Sequence, residues 1–276
     1  LFIHSEEVRK ELPKESDEFV QIDADVKKLL KDAKSKEYAI TFSTQEGYLE
    51  KIEDANSKLV KCEKALNRFM DDKRTCFPRF YFVSPADLLD ILSNGNLPEK
   101  VMPHMPKIFQ AINDLKLDTN TGVRPTALGM ISCVGTEYVD FNEPLKLLGK
   151  VEGYMQDVID AMRKSLRLIA GDSWKKSLTN PRTEWLKMDC AQCTLLVALA
   201  SWVDDVEKGF SNNSMPTTLK NCIDQLTALI KMVQDASMPG PLRMKIMCLI
   251  TMDAHSRDII GILIDQGVNQ PDEFQW

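Results

Sequence analysis

Between residues 45 and 74 the apolar residues alternate in steps of three and four: Leu49, Ile52, Leu59, Leu66, then Phe69 or Met70, with Asn56 at one polar place in the series. Residues at that spacing lie one above another on a single helix face, so the pattern excludes a strand and predicts a long α-helix. Glu, Lys and Asp crowd the remaining faces, which leaves the apolar stripe narrow. A narrow stripe on a charged helix fits a coiled-coil arm or one strut of a bundle, and burial within the same chain is the simpler expectation.

The same period governs most of the chain. A short amphipathic stretch at 5–12 stops at Pro13, and a segment at about 15–35 carries Phe19, Ile22, Val26, Leu29 and Leu30 on one side. From Pro144 onward, Leu148, Val151, Met155, Val158, Met162, Leu166 and Ile169 predict a helix ending at Gly171. Asn180-Pro181 opens a helix expected to run through Trp185 and Trp202 to about Gly209. Further helices are predicted at about 216–235 and, after the Pro239-Gly240-Pro241 break, at 242–265. Long helices joined by short loops pack most simply as antiparallel neighbours.

The middle reads differently. Arg79-Phe80-Tyr81-Phe82-Val83, between Pro78 and Ser84, predicts a short strand. Ser84-Pro85-Ala86-Asp87 is a helix start, with a capping hydroxyl, Pro at the first position and an acid where a capping box wants one. That helix, 85–92, should end at Asn94-Gly95. Pro98, Pro103 and Pro106 precede a helix expected at 106–115 and a loop at 118–127. Residues 129–141 predict a β-hairpin turning at Gly135-Thr136. The expected fold is mainly α, an elongated stack of antiparallel helical bundles with one small β-hairpin insertion. Its expected parts are a long-helix segment at 1–76, a small α+β segment at 77–141 and a helical bundle at 142–276.

The 276 residues carry a net charge of −6. A binder of nucleic acid needs a basic face to neutralise phosphates, and no such face is evident. The same deficit argues against docking on anionic lipid or on the acidic microtubule surface, and leaves another protein as the expected partner. The longest apolar run, Thr194 to Val203, is stopped by Asp204-Asp205, well short of the about 18 residues a membrane span requires. Seven scattered cysteines, an odd count, predict reduced thiols in a cytosolic compartment. No signal peptide is visible, and the absence of an initiating Met together with the abrupt Phe274-Gln275-Trp276 suggests an excerpt of a longer polypeptide.

Chemistry-bearing motifs are sparse. Neither a phosphate-cradling Gly-x-x-x-x-Gly-Lys-Ser/Thr nor a dinucleotide fingerprint occurs, so no catalytic, cofactor-binding or metal-ligating residue is assigned. Cys190-Ala191-Gln192-Cys193 has a metal or redox spacing, but further ligands are missing nearby. With Leu186 and Val197 the two cysteines fall on one helical stripe, which favours small core residues. On the last helix, Asp253 and Ser256 interrupt the stripe formed by Leu242, Ile246, Leu249, Ile260 and Leu263, with His255 and Arg257 beside them. Such a patch is either a hydrogen-bonded internal network or a docking face for another domain. Asp253 and Arg257 also have the acid-first spacing of a helical ion pair.

Several blocks resemble the linker of dynein heavy chains. Phe77-Pro78-Arg79-Phe80-Tyr81-Phe82-Val83-Ser84, continuing to Leu88-Leu89-Asp90-Ile91-Leu92-Ser93, is similar to one family block. Pro106-Lys107-Ile108-Phe109 with Met130-Ile131-Ser132 and Gly135-Thr136-Glu137-Tyr138-Val139 resembles the next. Asp253-Ala254-His255-Ser256-Arg257-Asp258 resembles a third, and Phe274-Gln275-Trp276 resembles the junction into the first AAA+ module. The blocks keep their order over 77–276, while the family often has Pro-Gly-Gln where this chain has Cys190-Ala191-Gln192.

The resemblance, of axonemal texture, implies a mechanical lever that bends and straightens over an AAA+ ring. Its implied partners are the ring of the same heavy chain and other dynein subunits, with ATP and Mg in the parent motor and no cofactor in this segment. It implies a place in the cytoplasm and cytoskeleton, at the ciliary or flagellar axoneme. Flexure is expected at 94–127, where prolines and a loop lie beside the hairpin. The rival readings are a non-motor helical scaffold or tether, and a thiol or zinc enzyme built on Cys190 and Cys193.

Overall fold

The computed structural model describes residues 6–36, 38–120, 122, 124–133, 137–268, 270 and 273, apart from the side chains of residues 7 and 39. It is mainly helical, with a small β element, and divides into two compact units: Leu1–Ala127 with Lys146–Val158, and Leu128–Leu145 with Ile159–Trp276.

The first unit opens with α1 (Glu6–Glu11), α2 (Pro13–Ser35), α3 (Ala39–Ser43) and the 29-residue α4 (Tyr48–Cys76). α2 packs along α4. The buried side of α4 differs from the expected seam. Leu49 is 69% exposed and Ile52 48%, while Ala55, Lys58 and Cys62 turn toward α2. The face at Tyr48, Lys51, Ala55 and Lys58 is the one α2 can match with charge, through Asp25 and Asp32, and the Tyr48 hydroxyl donates to Asp32. Charge complementarity therefore rotates the contact by one residue in the first half of α4. The second half buries Phe69 and Met70 as expected. Lys73 is also buried, paired at 2.6 Å with Glu152.

Residues 78–82 form a 3₁₀ turn instead of the expected strand, closed by Phe80 N–H to Phe77 O at 3.0 Å and Val83 N–H to Phe80 O at 3.2 Å. Pro78 sets the first backbone angle, and the turn drives Phe77 and Phe80 into the core edge-to-face at 4.8 Å. α5 (Pro85–Ser93) starts as read: Ser84 Oγ accepts from Asp87 N–H at 3.2 Å and donates to the Asp87 carboxylate at 2.6 Å. α6 (Pro98–Val101) and α7 (Met105–Ile108) are single turns. The helix expected at 106–115 stops at Ile108, and β1 (Ile112–Asp118) follows.

β2 (Thr126–Ser132) and β3 (Tyr138–Lys146) form the expected hairpin, although the turn residues 134–136 lie outside the described residues. Strand order is β1-β2-β3. Gly129 is required here, because a Cβ at that position would stand 2.4 Å from the Val139 carbonyl oxygen. β3 extends through Pro144, where a helix was expected to begin; an edge strand tolerates a residue with no N–H to give. α8 (Val151–Thr179) therefore begins late and then runs 29 residues, straight through the Gly171 expected to end it. Its seam residues Val151, Met155 and Val158 are fully buried.

The second unit holds the hairpin, α8 from Ile159 onward, α9 (Arg182–Trp185), α10 (Ala191–Ser211), α11 (Met215–Val233) and α12 (Gly240–Asp265). Cys222 meets Asp253 and Leu229 meets Ile246, so α11 and α12 run antiparallel. One apolar cluster gathers Trp185, Leu186, Val197, Leu229, Ile246 and Leu249. Another gathers Val206, Phe210, Met215, Cys222, Ile260 and Leu263. The single helix expected from Pro181 to Gly209 is broken at residues 186–190. Among the described residues no helix is long and apolar enough to cross a membrane.

Candidate functional site

The polar break in the α12 stripe sits between the two apolar clusters of the second unit. Leu249 and Ile260, both wholly buried, flank it along the helix. Asp253 turns inward and meets Arg182, the first residue of α9. Nη1 and Nη2 of Arg182 reach the two carboxylate oxygens at 2.6 and 2.9 Å, a bidentate pair with side-chain exposures of 19% for the arginine and 11% for the aspartate. Planar guanidinium and planar carboxylate are matched in this geometry, and each bond is charge-assisted.

Two further groups surround the pair. The Cys222 thiol donates to the Asp253 backbone carbonyl at 3.8 Å, and burial, with help from the Asp253 charge, pushes that thiol up to about 11. Burial also raises the Asp205 carboxyl above the usual carboxylate range, opposed by Lys208 and, more weakly, by Arg182. Residues from α9, α10, α11 and α12 thus converge on one charge system. A protonated thiol and an aspartate already held by arginine supply no activated nucleophile. Among the described residues no group of three or more His, Cys, Asp and Glu could hold a metal ion. The bidentate pair ties α9 to α12 and sets their register, and the Cys222 bond ties α11 to the same point.

The sequence-predicted residues divide sharply. Asp253 and Ser256 are buried; His255 is exposed, and Arg257 bonds its neighbour Asp258 at 2.9 and 2.6 Å in place of Asp253. Helical spacing suggested Arg257 as the partner of Asp253, whereas the inward direction of Asp253 selects Arg182, 71 residues away. Arg182 escaped sequence reasoning; its position just after Asn180-Pro181, at a helix start, was the only local signal. Phe274, Gln275 and Trp276 lie outside the described residues.

A second polar group forms where α10 begins. Cys190 is the N-cap, and its own side chain makes no capping bond. Glu137, at the foot of β3, caps instead: its carboxylate oxygens accept from Ala191 N–H at 2.9 and 3.2 Å. Asp189 pairs with Lys176 at 2.5 Å, and its backbone carbonyl accepts from the buried Lys245 at 2.8 Å. Desolvation lowers the Lys245 ammonium below its usual range, and the charges of Glu137, Cys190 and Asp189 oppose that shift. Cys193, one turn into α10, is buried and donates to Leu166 O at 3.4 Å.

Fold and site together define a helical segment organised by interhelical polar locks. Residues 1–173 match the family described as dynein heavy chain, N-terminal region 2, and the chain belongs to that family. It is 44% identical over 285 residues to the dynein alpha chain of the flagellar outer arm from Chlamydomonas reinhardtii. It is 37% identical to a ciliary dynein beta chain from Tripneustes gratilla and 35% identical to human dynein axonemal heavy chain 9, each over 284 residues. All of this chain is covered in each comparison, and it spans 6% of the length of each relative. The relatives are mostly ciliary or flagellar chains, and the matched region is consistent with the dynein linker.

Proposed function

We propose that this chain is a linker segment of an axonemal dynein heavy chain, and that it acts as a lever converting ATP hydrolysis elsewhere in the parent motor into displacement. The observation that carries the reading, beside family membership, is α8. Its 29 unbroken residues make a strut about 44 Å long at about 1.5 Å per residue, and a hydrogen-bonded helix resists compression along its axis far better than a loop does. The ion pair of Arg182 with Asp253 adds stiffness by holding successive helices in register.

The working partners in this reading are the AAA+ ring of the same heavy chain and other dynein subunits, with ATP and Mg bound in the ring. The place of work is the ciliary or flagellar axoneme. Flexure falls within residues 94–127, between the long-helix segment and the C-terminal bundle, where Pro98, Pro103 and Pro106 interrupt regular structure. The exposed His255 and the residues Phe274, Gln275 and Trp276 are the positions through which the segment faces or enters the ring. Structures of two nucleotide states that bend outside 94–127 would remove the hinge from this account.

The test is a short Gly-Ser insertion within α8 of the complete heavy chain. The lever reading expects microtubule gliding velocity to fall while ATP hydrolysis continues, because the strut is softened and the ring is untouched. Unchanged gliding would refute it and favour a static scaffold.

A further inference from the structure

We infer that Cys190 and Cys193 form a redox-active dithiol, opening and closing an intrahelical disulfide at the start of α10. The two sit at the N-cap and the third position of one helix. Side chains three apart at a helix start project from the same side at about 5–6 Å, within the reach that disulfide geometry needs with small rotamer changes. The two are near enough that the charge of Cys190 is felt at Cys193.

Their surroundings are unequal in the way a dithiol reaction requires. Cys190 lines a cavity of about 390 Å³ whose wall includes Tyr138, Asn142, Ser165, Asp172 and Asp189. Cys190, half-buried, is the cysteine of the pair that this cavity reaches. Cys193 is 2% exposed and faces Leu166 O, so it is far less accessible than the half-buried Cys190. Burial pushes the Cys193 thiol up to about 12. Lys245, buried, lies close enough to feel the charge of Cys190, while Asp189 and Glu137, the cap of Ala191, place negative charge beside the pair.

The reaction balances with a low-molecular-weight disulfide such as oxidised glutathione as oxidant. The Cys190 thiolate attacks one sulfur of that disulfide, its S–S bond breaks, and one thiolate leaves, giving a mixed disulfide. Cys193 gives its proton to water and attacks the Cys190 sulfur. The mixed bond breaks and the second thiolate leaves. Two protein thiols are oxidised, one external disulfide is reduced to two thiols, and two hydrogens pass between them. Closure withdraws the Cys193 donor from Leu166 O, so the switch acts on the packing of α10 against α8.

The experiment equilibrates the purified chain in a series of reduced-to-oxidised glutathione ratios, quenches with an alkylating agent and reads the tryptic peptide 188–208, which carries both cysteines. The expected product is that peptide lighter by two hydrogens and unalkylated. In the reduced chain, alkylation should modify Cys190 on the order of tenfold faster than Cys193. Cys193→Ser should accumulate glutathione on Cys190, and Cys190→Ser should leave Cys193 unmodified. A mixed disulfide that persists on Cys190 in the unsubstituted chain would overturn the inference. So would equal alkylation of both cysteines, or no oxidation of this peptide at ratios that modify the exposed Cys76. Because Ser is a favoured N-cap, Cys190→Ser should fold normally.

Discussion

Replacing Arg182 by Ala removes one side of a bidentate pair whose bonds measure 2.6 and 2.9 Å. The Asp253 carboxylate left behind is only 11% exposed, and the packed apolar residues of α12 on either side of it cannot rehydrate it. Breaking a buried pair from one side costs about 3–5 kcal/mol. Arg182 is itself 19% exposed, so some water reaches the gap, and the lower end, about 3 kcal/mol, is expected. That is a large share of the about 5–15 kcal/mol that holds a domain together. Urea unfolding followed by circular dichroism is the assay. With a slope of about 1–3 kcal/mol/M, the midpoint should fall by about 1–3 M at unchanged slope. Arg182→Met combined with Asp253→Leu should recover most of the loss, because neither charge then remains buried. If Arg182→Ala costs less than about 1 kcal/mol, the value of an ordinary surface pair, the register-locking role given to this contact is wrong.

Three other outcomes follow from positions described above. Gly129→Ala should destabilise by about 1–3 kcal/mol in the same unfolding assay, since the new methyl meets a backbone oxygen that cannot move aside. Gly171→Ala should stabilise by about 0.4–1 kcal/mol, because the position is helical and nothing lies within 4 Å of the added carbon. The bond from Lys107, and then that from Ser84, holds the Asp87 carboxyl below the usual carboxylate range. Its stabilising contribution is therefore complete above that range and is lost as pH falls through the depressed value. Lys107→Ala should move the Asp87 titration midpoint upward, as followed by carboxyl NMR.

Long-period patterns were legible in the sequence wherever burial follows helical geometry. Val151, Met155 and Val158 are read correctly because that face of α8 meets the core, whereas Leu148, first in the expected line, lies before the helix and is exposed. The Ser84 cap is read correctly because its partner, Asp87, is three residues away. Errors arise where a distant group decides. The Leu49–Ile52 line is apolar, yet α2 selects the adjacent face of α4 through charge. Leu115-Lys116-Leu117 alternates with period two, but the neighbouring helical turn at Met105–Ile108 masks so short a signal. Asp253 was visible as a polar interruption, whereas Arg182 was not, because no local rule connects two residues 71 apart. The break at 186–190 had one hint: the family often carries Pro-Gly-Gln where this chain has Cys190-Ala191-Gln192, a tripeptide that favours the end or beginning of a helix.

Glu137 lies 54 positions before the amide it caps. The beginning of α10 is thus written partly in a hairpin, and an isolated peptide of residues 182–211 would lack the instruction to restart at Ala191. Inserting a single residue on the β3 side of the hairpin would turn Glu137 to the opposite face of the strand and uncap a helix far along the chain. Changes in hairpin length and changes at the start of α10 are therefore bound to be inherited together, or compensated by a new capping side chain at position 190.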